Sequence, residues 1–94
     1  LRKKSKTYKK YMSINISEEN KKSIFIPKGL AHGFKSIKDD TITVYNVASE
    51  YNADFDSGIK FDSFNFNWNS EEIVMSNRDK EFKSLDSFCE TNPF

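Results

Sequence analysis

His32 is the only histidine among 94 residues, and it lies in an apolar run just after a Pro/Gly turn: Ile24-Phe25-Ile26-Pro27-Lys28-Gly29-Leu30-Ala31-His32-Gly33-Phe34. Thirteen residues later stands Tyr45, on a second β-rich stretch. A histidine and a tyrosine aimed into one pocket can bind a sugar and move a proton. No partner base accompanies them. The chain also starts in mid-pattern, at Leu1 with no initiator Met, which predicts a piece of a longer polypeptide holding part of a site.

The elements that must position these two side chains read as strands. Aromatic residues make up 15% of the chain, led by nine Phe, while Gly and Pro are few, a bias toward sheet over helix bundle. Residues 11–16 alternate, with Met12, Ile14 and Ile16 on one side and Tyr11, Ser13 and Asn15 on the other. Ser17-Glu18-Glu19-Asn20 predicts a polar turn, one helical turn capped by Ser17. Residues 23–26 predict a short strand ended by Pro27-Lys28-Gly29. Residues 30–37 and 41–47 predict a hairpin around Lys38-Asp39-Asp40. Side chains alternate across a strand, so His32 and Tyr45 share a face only if the loop has an even residue count. A two-residue Asp39-Asp40 loop pairs Lys38 with Thr41 and sets His32, Phe34 and Tyr45 on one face. That loop, or a bulge with the same effect, is expected.

Beyond the hairpin, residues 52–57 are polar and turn-like, and residues 59–68 are aromatic but irregular, a loop with strand fragments. Ser76-Asn77-Arg78-Asp79 predicts a helix start, with Ser76 as N-cap and Asp79 at the third helical position. A short helix is expected around residues 85–88.

Ninety-four residues suit one small domain. Fifteen basic and fourteen acidic residues nearly cancel, to a net charge of +1. Basic residues cluster at the start, in Arg2-Lys3-Lys4-Ser5-Lys6 and Lys9-Lys10. The competing readings are a nucleic-acid arm and a solvated edge; no nucleic-acid motif follows, and the solvated edge is preferred. The single cysteine, Cys89, excludes an internal disulfide and reads as a bystander thiol in a reducing cytoplasm. No apolar run approaches membrane-spanning length, so no membrane partner is expected.

Taken in order, these residues resemble the dTDP-4-dehydrorhamnose 3,5-epimerase family, cupins that act on nucleotide-linked 4-keto sugars. The resemblance rests on Leu1-Arg2 with Ser5-Lys6-Thr7-Tyr8, Ile16-Ser17-Glu18-Glu19-Asn20-Lys21, and the Ile26-Pro27-Lys28-Gly29-Leu30-Ala31-His32-Gly33-Phe34 run. Tyr45 with Tyr51, Trp68 and Ser76-Asn77-Arg78-Asp79 continue it in register. It covers essentially the whole chain and about the second half of the family domain. The resemblance implies an all-β fold: residues 1–94 as the C-terminal portion of one cupin-type jelly roll, with a short C-terminal helical segment.

By the same resemblance Tyr45 is the proton donor, since a phenol is protonated at neutral pH and can donate to an enolate carbon. Asp79 supports a catalytic histidine, as a carboxylate fixes an imidazole tautomer, although Ser-x-x-Asp is equally a capping box. His32 contacts the sugar or its keto oxygen. Asp56 stands where the family usually has Glu, and Arg78 where it has Lys; both contact the substrate, Arg as a fork rather than a point donor. Tyr51 lies near the nucleotide. The chemistry requires no cofactor and no metal, and full-length members are homodimers.

The departures are as definite. The family's base histidine, in Arg-Gly-x-His, and the lysine after it have no counterpart here. These 94 residues alone are therefore expected to be inactive. The rival reading is a non-catalytic, truncated cupin that binds sugar nucleotide or packs on another chain; a relative performing 3,4-ketoisomerisation is a third.

Overall fold

Serine hydroxyls set the local structure at three of this chain's turns. At Ser17 the bonds are reciprocal: Ser17 Oγ accepts from the Asn20 amide at 3.1 Å, and Asn20 Oδ1 accepts from the Ser17 amide at 3.0 Å. The Lys21 amide then donates to the Ser17 carbonyl at 3.0 Å, giving the single helical turn that Ser17 was expected to cap. Ser76 Oγ accepts from the Asp79 amide at 3.1 Å and starts α1, Asn77–Glu81. Ser84 Oγ accepts from the Ser87 amide at 3.2 Å and starts α2, Leu85–Glu90. Each satisfies an amide that the first helical turn leaves without a partner. Ser76→Ala is expected to cost about 1 kcal/mol, read as a shift in the urea midpoint by the fluorescence of Trp68. An unchanged midpoint would mean that α1 contributes nothing to the cooperative unit.

The computed structural model describes residues 1–94 and divides into two compact units, Leu1–His32 with Asn92–Phe94, and Gly33–Thr91. In the first unit the Leu1 ammonium donates to the Gly29 carbonyl, and the Asn92 side-chain amide donates to the Leu1 carbonyl at 2.8 Å. Asn92 is the buried residue here, 8% exposed. Gly29 has φ +94°, a conformation that a side chain would strain, and the Arg2 side chain fills the space where a Cβ would sit.

In the second unit, residues 59–63 and 83–85 are laced together. Ile59 and Lys83 form an isolated parallel bridge, and the Lys60 amide donates to the Lys83 carbonyl at 2.8 Å. Ser63 Oγ accepts from the Leu85 amide at 2.9 Å and donates to the Lys60 carbonyl. Phe61, Phe64, Phe66 and Trp68 are half-buried. Phe66 meets Trp68 edge-on at 4.7 Å, and Trp68 Nε1–H donates to the Phe61 carbonyl at 3.0 Å, so the indole's polar edge is satisfied. Lys35 Nζ reaches the Trp68 and Asn69 carbonyls.

The all-β jelly roll expected from the sequence is not what the structure contains. The Ile59–Lys83 bridge stands outside any strand, and the regular elements are a 3₁₀ turn at Ala53–Phe55, α1 and α2. Residues 11–16, 23–26, 30–37 and 41–47 form no ladder, and no apolar side chain is fully buried; Phe25 and Ile42 are 88% and 87% exposed. A strand is stable only when a neighbour in register takes its amides and carbonyls and a second layer covers its apolar face. Neither condition is met here. At the turn of residues 38–40 the Ser36 and Thr41 hydroxyls both donate to the Lys38 carbonyl, at 2.7 Å each, local side-chain bonds of the kind that offer the backbone an alternative to a ladder. Asp40 has φ +56°, and the even-loop register expected to align His32, Phe34 and Tyr45 does not form. The turn at residues 52–57 and the helical tail do form as expected.

Candidate functional site

The second unit brings together two of the six residues singled out from the sequence. Asp56 follows the 3₁₀ turn, where the Asn52 side chain accepts from the Asp54 amide at 3.0 Å. Arg78 is the second residue of α1, and its Nη2 spans both Asp56 carboxylate oxygens, at 3.0 and 3.2 Å. The guanidinium lies 5.1 Å from the centroid of the Phe82 ring, one turn further along the chain. That ring in turn occupies the space over Gly58, where an added Cβ would collide with three ring atoms. Carboxylate, guanidinium, ring and glycine therefore form one stack joining residues 56–58 to α1.

Both charged partners are solvated, the Arg78 side chain 57% exposed and that of Asp56 26%. The ion pair by itself is thus worth about 0–1 kcal/mol. What it changes is chemistry: two residues expected to face a ligand neutralise each other, and an incoming anion must compete with Asp56 for Arg78.

Asp79 gives its amide to the Ser76 cap while its carboxylate is half-buried. Tyr45 and Tyr51 are 75% and 76% exposed, so neither is a packed core tyrosine. His32 is exposed in the first unit, three residues beyond Gly29. Sequence reasoning missed Phe82 and Gly58, although an isolated glycine beside an aromatic stretch does signal close approach. It also missed Asn92, for which no sequence pattern speaks.

Residues 1–87 match the family model described as dTDP-4-dehydrorhamnose 3,5-epimerase. The chain belongs to this family. A dTDP-4-dehydrorhamnose 3,5-epimerase of Methanothermobacter thermautotrophicus is 36% identical over 90 residues, which cover 90% of this chain and 49% of that protein. One from Sinorhizobium fredii is 38% identical, covering 86% and 43%. One from Shigella flexneri is 33% identical, covering 94% and 51%. The chain thus spans about half the length of these epimerases. No solved structure matches. No helix is long and apolar enough to cross a membrane.

Proposed function

We propose that this chain supplies the proton-donor side of a sugar-nucleotide 3,5-epimerase, which inverts carbons alpha to the C4 ketone of a nucleotide-linked 4-keto-6-deoxy sugar. The observation that carries the reading is the family match across residues 1–87; in this reading Tyr45 takes the donor position. A proton alpha to the ketone is acidic because the carbanion delocalises into an enolate. A base removes it from one face of the ring, and the Tyr45 hydroxyl delivers another to the opposite face. His32 donates to the keto oxygen as charge develops there. Asp79 orients the base imidazole, and Asp56, Arg78 and Tyr51 hold the sugar nucleotide. The protons balance without a metal or redox cofactor. The full-length enzyme is in this reading a cytoplasmic homodimer whose product feeds deoxysugar or surface-polysaccharide synthesis.

The base itself is not among these 94 residues, which contain no Arg-Gly-x-His. The chain alone is therefore expected to exchange no deuterium from D₂O into C3 or C5 of dTDP-4-keto-6-deoxyglucose, as read by NMR. Joined to the part of the Methanothermobacter relative that it does not match, it is expected to restore exchange and inversion. A silent, folded chimera would favour the second reading, a non-catalytic sugar-nucleotide-binding or association module, which the mutually neutralised Asp56 and Arg78 support.

A further inference from the structure

The Lys35 ammonium does more than tie two stretches of the second unit together. Its Nζ donates to the Asn69 carbonyl at 3.2 Å as well as to that of Trp68. The Asn69 carbonyl belongs to the peptide bond whose nitrogen is that of Ser70. A cation bonded to that oxygen draws electron density from the bond and stabilises the negative charge left when the Ser70 N–H loses its proton. The Ser70 amide donates to no acceptor, and the Asn69 side-chain amide has no partner. Both residues are exposed. Their other groups are held, the Asn69 amide by Asn67 Oδ1 at 2.9 Å and the Ser70 hydroxyl by the Glu72 carbonyl at 2.7 Å. Asn69 has φ +49°, a left-handed conformation that side chains enter at a cost.

Of nine asparagines, Asn69 alone precedes a serine, and none precedes a glycine. A small successor leaves the backbone nitrogen open to react. Phe66, Trp68 and Arg78 crowd it after Asn65, Asn67 and Asn77, and Pro93 after Asn92 has no N–H. Asn52 precedes the small Ala53, but its side-chain oxygen is committed to the Asp54 amide at 3.0 Å. We propose that Asn69–Ser70 is a self-modifying site, where Lys35 promotes conversion of Asn69 to aspartate and isoaspartate. The Ser70 nitrogen gives its proton to solvent base and attacks the Asn69 side-chain carbonyl carbon. That C–N bond forms as the bond to the side-chain nitrogen breaks, and ammonia leaves with a proton returned by solvent. Water then opens the cyclic imide, at the former side-chain carbonyl to give aspartate or at the former main-chain carbonyl to give isoaspartate. Nothing is oxidised or reduced. In isoaspartate the oxygen that Lys35 already holds has become part of a carboxylate, so the ammonium gains an ionic partner. The site is independent of the epimerase reading, and its failure leaves that reading untouched.

The test is to incubate the chain at mildly alkaline pH in water enriched in heavy oxygen, then digest it with trypsin. Cuts after Lys60 and Arg78 free the peptide of residues 61–78, which is sequenced by mass spectrometry. Heavy oxygen is expected at residue 69, and part of the product is expected to be a substrate for an isoaspartyl methyltransferase. Lys35→Met keeps the stem and removes the ammonium. It is expected to slow conversion about tenfold, the lower end of what an adjacent opposite charge does to an acid's ionisation. Lys35→Arg is expected to retain most of the rate, and Ser70→Val, which crowds the nitrogen, to lose it. Unfolding in urea separates Lys35 from Asn69 and is expected to slow conversion as much as Lys35→Met does. That comparison needs no substitution, so it decides even where Lys35→Met disturbs the fold. An unreacted Asn69, a rate unchanged by Lys35→Met, or a rate as fast in urea would each overturn the proposal. So would equal conversion at Asn65, Asn67 or Asn77 of the same peptide.

Discussion

Tyr45→Phe, in the chimera that supplies the base, is expected to lower the rate of inversion at C3 or C5 by about 10²–10⁴-fold, the usual share of a positioned general acid. The substitution removes one oxygen from a side chain that is 75% exposed, so folding is expected to be unaffected. The isotope pattern separates the acid from a residue that merely binds. Abstraction by the base does not need the phenol, and the enolate can take a proton back on the face it came from. Deuterium incorporation with retention should therefore fall much less than inversion. Equal loss of both, with a raised KM, would show that Tyr45 binds and does not donate. Inversion at the unsubstituted rate would remove it from the mechanism.

Gly58→Ala carries the largest expected effect on stability. A methyl group there would collide with three atoms of a rigid ring, so the Phe82 side chain has to leave. As it pivots, Arg78 loses the face it stacks on, and the Ile59–Lys83 bridge between the neighbouring residues is strained. Forcing extra volume into a filled space costs about 1–3 kcal/mol, and the chain has no fully buried apolar side chain with which to absorb it. The urea midpoint, followed by Trp68 fluorescence, is expected to drop accordingly. Gly58→Ala combined with Phe82→Ala should then be less damaging than the two single effects added, because the ring that clashes is gone. Strict additivity would show that residue 58 tolerates a side chain and that the stack is incidental.

The features legible in the sequence were those decided within a few residues. Ser17 and Ser76 announce their turns because a hydroxyl and an amide three residues on need nothing else to meet. The family was legible too, since short motifs in a fixed order, such as the Ile26 to Phe34 run, are read without the fold, and residues 1–87 do match its model. The sheet was not. Alternation at residues 11–16 says which side chains share a face, but it cannot say which strand would pair there, and in this structure no ladder forms. Equally invisible to alternation are the two hydroxyls that close on the Lys38 carbonyl at the expected hairpin turn. Of the candidate residues, Asp56 and Arg78 were chosen separately as ligand contacts. They bind each other beside Phe82 and Gly58, which lie far apart in the sequence and meet only in the fold.

Asn92 fastens the last residues of the chain to the first: its amide nitrogen holds the Leu1 carbonyl, and its oxygen accepts the Phe94 amide at 2.9 Å. Beginning and end are thus already neighbours, which makes the polypeptide suited to ring closure. A short glycine bridge from Phe94 to Leu1 would replace the ammonium that donates to Gly29 with an ordinary amide, one donor still available. It would also reduce the freedom of the unfolded chain, by an amount that grows only slowly with the length enclosed. The same proximity would let the backbone be opened elsewhere, at an exposed turn such as residues 38–40, to give a permuted chain in which the first unit is continuous and the second is in two pieces.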